Sequence, residues 1–241
     1  MDFNPVLQYF ARHLRVLGLA AAIVVGTPWV IGNYNKFLAL GAHNPLKLWL
    51  IATPLTALGR ETTSTEEYDK DPNKETWLDR PVERRGARPT LGWHCVPHRQ
   101  IDRLPTDKFA KRLDAIFAEH AAANPTLIQV VTSPHEKWNS GMVIHTDIPS
   151  PHKEADQAWR EIAHVHPIDH SLHAVLSPAD CKTVIELGWA ERHPLSGVSR
   201  VFPLPKNYLL VYAPRDEEEL QVVERILVAS IGYMTASHSV V

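Results

Sequence analysis

The sequence predicts an α+β fold: a single domain with a mainly antiparallel sheet and a helical layer, preceded by an N-terminal membrane-anchor helix. Beyond residue 88, short segments rich in β-branched and aromatic residues interleave with segments whose apolar residues recur at helical spacing, and several connections are short. Near the N-terminus no charged residue occurs from Val16 to Asn35, while Arg12, His13 and Arg15 precede that run and Lys36 follows it.

The strictly apolar part of the run, Val16 to Ile31, spans about 24 Å as a helix, near the lower limit for crossing a bilayer. Trp29 and Tyr34 stand where interfacial anchors are found, and no small-residue cleavage site follows, which favours an anchor over a signal peptide. The next apolar stretch, Phe37 to Leu58, is broken by Asn44-Pro45, Lys47 and Pro54 and suits the membrane surface better than a second crossing. Residues 1–59 are therefore expected to form an anchor and an amphipathic segment, with membrane lipid as partner and single-pass or monotopic attachment to the endoplasmic reticulum or another endomembrane. The basic flank favours an N-terminus on the cytosolic side, which puts the domain in a lumen.

Residues 60–88 are polar and nearly free of aliphatic side chains, so they read as a linker, with Arg80, Arg84, Arg85 and Arg88 solvated. The main folded domain is then 89–241. Pro89 to Val96 reads as a strand. Thr106 to Ala123 reads as a helix with Phe109, Leu113, Ile116 and Phe117 on one face. Thr126 to Val131 and Gly141 to Thr146 read as strands of a hairpin turning near Asn139-Ser140-Gly141. His152 to Ile162 reads as helical and His170 to Leu176 as a strand. Ser177-Pro-Ala-Asp180 opens a helix, with serine as N-cap, proline at the first helical position and an acid in the first turn. That helix stops at Gly188 and a loop follows. Tyr208 to Tyr212 is a strand, and a last helix starts at Asp216 with Leu220, Val223, Leu227 and Ile231 on one face.

The 241 residues are 44% apolar and 22% charged, the profile of a folded chain. A net charge of −2 with no basic stripe speaks against a nucleic-acid partner. The two cysteines, Cys95 and Cys181, make neither a disulfide scaffold nor a zinc or redox pair. No phosphate loop, nucleophile elbow or dinucleotide fingerprint occurs, which counts against nucleotide- or nicotinamide-dependent chemistry. The anomaly is 14 histidines, many of them between His145 and His193.

Three groups carry the candidate chemistry. In Glu161-Ile-Ala-His164-Val-His166-Pro-Ile-Asp169-His170-Ser-Leu-His173, an extended chain projects His164 and His166 to one face. Paired imidazoles beside carboxylates serve as a base held by an acid, or as metal ligands. Gly188-Trp189-Ala-Glu-Arg192-His193-Pro-Leu-Ser-Gly197 offers Arg192 and His193 to an anion and Trp189 to a flat ring. Trp93-His94-Cys95 offers a histidine to the same pocket.

Trp159-Arg-Glu-Ile-Ala-His-Val-His166, Ser171-Leu-His173, the Gly188–Gly197 block, Tyr212-Ala-Pro-Arg-Asp-Glu-Glu-Glu219 and Ala229-Ser-Ile-Gly-Tyr-Met-Thr235, in that order, closely resemble the fungal luciferases. The chain departs from them over His135 to Lys153 and is about one residue shorter between His166 and Ser171. The resemblance implies a membrane-bound oxygenase with O2 as co-substrate and neither organic cofactor nor metal, acting on a small molecule. The implied reaction adds O2 to a 3-hydroxy-α-pyrone, 3-hydroxyhispidin, and a cyclic peroxide then loses CO2 and leaves an excited, light-emitting product. It needs a base, groups that hold an enolate, and a dry flat pocket. His164, His166 or His173 is the expected base and Glu161 or Asp169 its orienter. Arg192 and His193 are expected at the anion, with Trp189, His94 and Tyr212 as further substrate contacts. The alternatives are a metal-dependent His/carboxylate oxygenase or hydrolase, and a membrane-tethered binding domain.

Overall fold

The computed structural model describes residues 4–198 and 204–241. The chain divides between Trp49 and Leu50 into two compact units. The N-terminal unit is dominated by α1 (Asn4–Leu38), which runs through Arg12 and Arg15 and contains Pro28. At 35 residues it is about 52 Å long, well beyond the segment read from the charge-free run. Its Leu7–Leu38 portion is long and apolar enough to cross a membrane. Leu19, Ile23, Val24, Val25 and Trp29 are exposed along it. Its C-terminal end is fastened by a hydrogen bond from Trp49 Nε1 to Asn33 Oδ1 (2.7 Å) and by Tyr34 set edge-on to Trp49. Full-length protein is expected to pellet with membranes and to need detergent, and a chain starting near Lys36 to do so far less. Full-length protein that stays in a high-speed supernatant without detergent rules the anchor out.

α2 (Pro45–Thr56) leads into the larger unit. The segment 60–88, expected as a solvated linker, is folded onto that unit. It carries the single turn α3 (Glu66–Asp69), and its Tyr68 and Leu78 join the hydrophobic core. Arg84 is buried against Glu219 at 3.0 Å, and Arg88 donates to the carbonyl of Ala190. Pro89 to Val96 forms no strand. Among the described residues its only sheet-like contact is an isolated bridge from Leu91 to Gln100.

The expected antiparallel sheet is present, six-stranded in the order β1-β2-β3-β4-β6-β5. Its strands are β1 (Ile128–Thr132), β2 (Ser140–Ile144), β3 (Glu161–Val165), β4 (Leu172–Val175), β5 (Ala190–Arg192) and β6 (Tyr208–Val211). β1 and β2 pair from Ile128 with Ile144 to Thr132 with Ser140, so the hairpin turns at 133–139, ahead of the expected turn. Between β2 and β3 only Lys153–Gln157 is helical (α5), where a longer helix was expected. Its cap is His152, whose Nδ1 accepts from the Ala155 N–H.

The helical layer is α4 (Asp107–Ala123), α6 (Pro178–Glu186) and α7 (Glu217–Thr235). α6 starts as its sequence dictates: the Ser177 hydroxyl accepts from the Asp180 N–H, and Pro178 needs no partner in the first turn. It stops at Gly188, whose φ of +77° glycine adopts without a Cβ penalty. α7 is capped by the Asp216 side chain on the Glu219 N–H. Leu113 and Ile116 of α4, Val184 and Ile185 of α6, and Leu220, Val223, Leu227 and Ile231 of α7 share one core with Ala163, Leu172, Ala174, Leu209 and Val211 of the sheet.

Candidate active site

β3 and β4 pair with Ala163 opposite Ala174, His164 opposite His173 and Val165 opposite Leu172. Strand alternation turns His164 and His166 to one side, with His173 directly across from His164. The ring centroids of these three lie 4.8–5.2 Å apart. Tyr208, two positions along the neighbouring ladder, stacks on His173 at 4.8 Å. Just beyond β5, the His193 N–H bonds to the Tyr208 carbonyl, and its ring lies 5.2 Å from His173. His98 arrives from the loop after the cis Val96-Pro97 bond and lies 4.9 Å from His193. All five imidazoles are buried.

Against them lies a cavity of about 260 Å³. Its walls include His98, His164, His173 and His193, with His135 and Glu136 from the β1–β2 turn. Tyr208 and Trp159 supply flat faces, and His135 is stacked on Trp159 at 4.7 Å.

The partners of each ring fix its tautomer. His164 Nδ1 donates to Glu161 Oε1 at 2.7 Å. His173 Nδ1 donates to the Leu209 carbonyl at 2.9 Å. His166 Nδ1 donates to Ser171 Oγ at 2.8 Å, because that hydroxyl spends its own proton on Asp169. The Asp169 carboxylate also accepts from the Gln100 N–H. His193 is the reverse case: its Nδ1 accepts from the Leu195 N–H, so the neutral ring carries its proton on Nε2.

The same environment separates the charges. Burial opposes a charge on His164, but the Glu161 and Glu136 carboxylates outweigh it and push the group up to about 9. Burial, followed by the Arg99 guanidinium, takes His166 down to about 4. Burial and neighbouring imidazoles hold His173 and His193 well below the ordinary range. One imidazolium therefore sits among neutral imidazoles. Glu136 is half-buried, and although desolvation opposes its charge, His164 and Arg99, the latter paired with it at 2.6 Å, hold its carboxyl well below the usual range.

The structure brings His164, His166, His173 and His193 together, with Glu161 and Asp169 behind them. Arg192 does not join them. β5 pairs with β6 so that Glu191 faces Leu210 and Arg192 faces Leu209, and alternation sends Arg192 away from His193. Its guanidinium meets Glu67 at 2.6 Å, the Tyr68 hydroxyl and the carbonyls of Glu61 and Ser64. Trp189 is also in the core, donating to the Val82 carbonyl, and Tyr212 donates to Glu191. His94 is buried beside Trp93, outside the cavity lining. Sequence reasoning missed His98, His135, Glu136 and Tyr208. The available signal was the His135-Glu136 dipeptide in a turn between two strands.

Arg192 thus acts as a brace for residues 61–68 rather than an anion ligand. Arg192→Ala is expected to destabilise the protein by about 1.5–3 kcal/mol, since it strips hydrogen bonds from a buried charged group. Turnover per folded molecule should stay within a few-fold. Thermal unfolding with activity assays on the folded fraction checks both, and a selective loss of turnover at unchanged stability returns Arg192 to the substrate.

A luciferase-domain family model matches residues 159–230, the stretch that supplies β3, β4 and His193. A luciferase of Armillaria ostoyae is 35% identical over 230 residues, covering 90% of this chain and 86% of the relative. A luciferase of Armillaria mellea is 34% identical over the same coverage, and one of Neonothopanus nambi is 33% identical over 247 residues, covering 97% and 92%. No solved structure matches. Similarity at this level over nearly the whole length, with the histidine strands inside the matched domain, places the chain in the luciferase family.

Proposed function

We propose that this chain is an oxygenase that adds O2 to an enolisable 3-hydroxy-α-pyrone of the 3-hydroxyhispidin type, releasing CO2 and light. The observation that carries the reading is the cavity walled by one imidazolium, several neutral imidazoles and two aromatic side chains. Tyr208 and Trp159, with the His135 ring packed against both, line the cavity and offer aromatic surface to a planar pyrone. His173, whose uncommitted nitrogen is Nε2, takes the proton of the 3-hydroxyl. The His164 cation and the Nε2–H of His193 hold the enolate that results.

The electron-rich ring carbon then bonds to O2, the peroxide closes on the lactone carbonyl, and CO2 leaves as the O–O bond breaks. One O2 enters and one CO2 departs, so no external reductant and no organic cofactor is required.

The test is to mix purified protein with 3-hydroxyhispidin while recording light and dissolved oxygen together. Oxygen consumption with light is the expected result. Oxygen consumption in the dark identifies a non-luminous oxygenase. Binding with no oxygen consumption leaves a membrane-tethered binding domain and overturns the proposal.

A further inference from the structure

We propose that His164, His166 and His173, together with Glu136, form a binding site for one divalent first-row transition-metal ion. This departs from the metal-free expectation drawn from the sequence.

The first observation is what the rings leave unused. Each Nδ1 is committed, to Glu161, to Ser171 backed by Asp169, and to the Leu209 carbonyl. The ligating atom left on each ring is Nε2, and on His164 a bound ion takes the place of the proton that nitrogen carries in the imidazolium. On His164 and His166 that nitrogen is buried and makes no hydrogen bond. A buried polar atom without a partner costs about 1–3 kcal/mol, and this cluster holds two side by side. Ordinary core histidines satisfy both nitrogens.

The second observation is convergence. One ligand atom from each of the three rings lies within 4.8 Å of the others. Metal–imidazole bonds of about 2.0–2.1 Å need donors roughly 3–4 Å apart, so small side-chain shifts close the set. Glu136 Oε1 faces the same point, 3.7 Å from His164 Nε2 and 3.9 Å from His166 Nε2. It supplies a hard anionic donor to the set.

The third is the layer behind the rings. A carboxylate, a serine–carboxylate relay and a backbone carbonyl orient the three Nδ1–H groups, the arrangement that aims and strengthens histidine ligands. The neighbouring trio His98, His173 and His193 is equally close but lacks this feature. The Leu195 N–H demands a lone pair on His193 Nδ1, which leaves Nε2 protonated and unable to ligate.

Three imidazoles with one carboxylate suit iron, cobalt, nickel, copper or zinc rather than calcium or magnesium. His164, His173 and Glu136 also line the cavity, so a bound ion is reachable by ligand. Its role, though not its binding, rests on the oxygenase reading. The adjacent hydroxyl and carbonyl oxygens of a 3-hydroxy-α-pyrone chelate such an ion, which draws off the enol proton by coordination instead of by transfer to His173.

Full-length protein made without a polyhistidine tag, stripped with chelator and dialysed in detergent, is titrated with Co2+ and, separately, Cu2+. The expected results are one Co2+ per chain with visible d–d absorption, and a Cu2+ paramagnetic resonance spectrum split by three imidazole nitrogens. His166→Ala should weaken Co2+ binding at least 100-fold. Asp169→Asn, which touches no ion, should weaken it about 10–100-fold. Wild-type protein without d–d absorption, or a Cu2+ spectrum with fewer than three nitrogens, overturns the proposal, and neither readout depends on a variant folding. Binding is measured without substrate, so its failure leaves the oxygenase reading intact, and failure of oxygen uptake leaves the metal site intact.

Discussion

Replacing His164, His166 or His173 by alanine is expected to slow oxygen consumption with an accepted hydroxypyrone by on the order of 100-fold or more. The three rings are mutually in contact and buried, and each is held by a separate partner. Loss of any one removes a base, a cation or a ligand and loosens the other two. The effects should therefore be far from additive, with a double variant little worse than a single one. His238→Ala is the control, since that ring is largely exposed and stacked on Trp77 away from the cavity. His152 is unsuitable for that purpose, because it caps α5 and meets the Tyr233 carbonyl. Near-normal rates in all three variants, with circular dichroism matching the wild type, make the cluster structural and move the chemistry elsewhere.

How far these residues could be read from the chain depends on the range of the contacts that place them. The ends of α6 and α7 were legible because Ser177 and Asp216 act on amides only three residues away. The pairing of His164 with His166 was legible for the same reason, since strand alternation is local. Arg192 was misread because β5 is three residues long and its faces are set by its register with β6, remote in sequence. His94 was preferred on the expectation of a strand over Pro89 to Val96. The chain there is irregular, and the bridge from Leu91 to Gln100 folds it back so that His98 reaches the cavity. Glu136 lies in a hairpin turn, and nothing within that turn announces that His164 and His166 will stand opposite it. The 60–88 segment was misjudged by composition: a shortage of aliphatic residues does mark solvated chain, but here Tyr68 and Arg84 carry the packing.

Glu219→Ala is expected to cost about 3–5 kcal/mol, the range for removing one partner of a buried ion pair. In a unit of this size that lowers the melting temperature by roughly 10 °C. Arg84 and Glu219 are both almost wholly buried and meet at 3.0 Å. Arg84 also donates to the Ala213 carbonyl and lies 5.4 Å over the Tyr212 ring, so it has no route to water when its carboxylate is removed. Arg215, the other partner of Glu219, is partly exposed and can turn outward. Pairing Glu219→Leu with Arg84→Met should therefore recover much of the loss, because apolar replacement of both charges removes the desolvation cost along with the attraction. The pH dependence has a definite sign. Burial raises the Glu219 carboxyl, but hydrogen bonds from Arg215 and the Arg84 charge outweigh it and hold the group below its ordinary value. A carboxyl depressed in the folded state contributes stability above its unfolded value, about 4.3, and loses it as pH falls through the folded one. The gap in melting temperature between wild type and Glu219→Ala should be full at pH 7 and shrink below about pH 4. A gap that is small at pH 7, or that widens on acidification, means that Arg84 finds another anion or reaches solvent, and that the 60–88 segment is held by its other contacts.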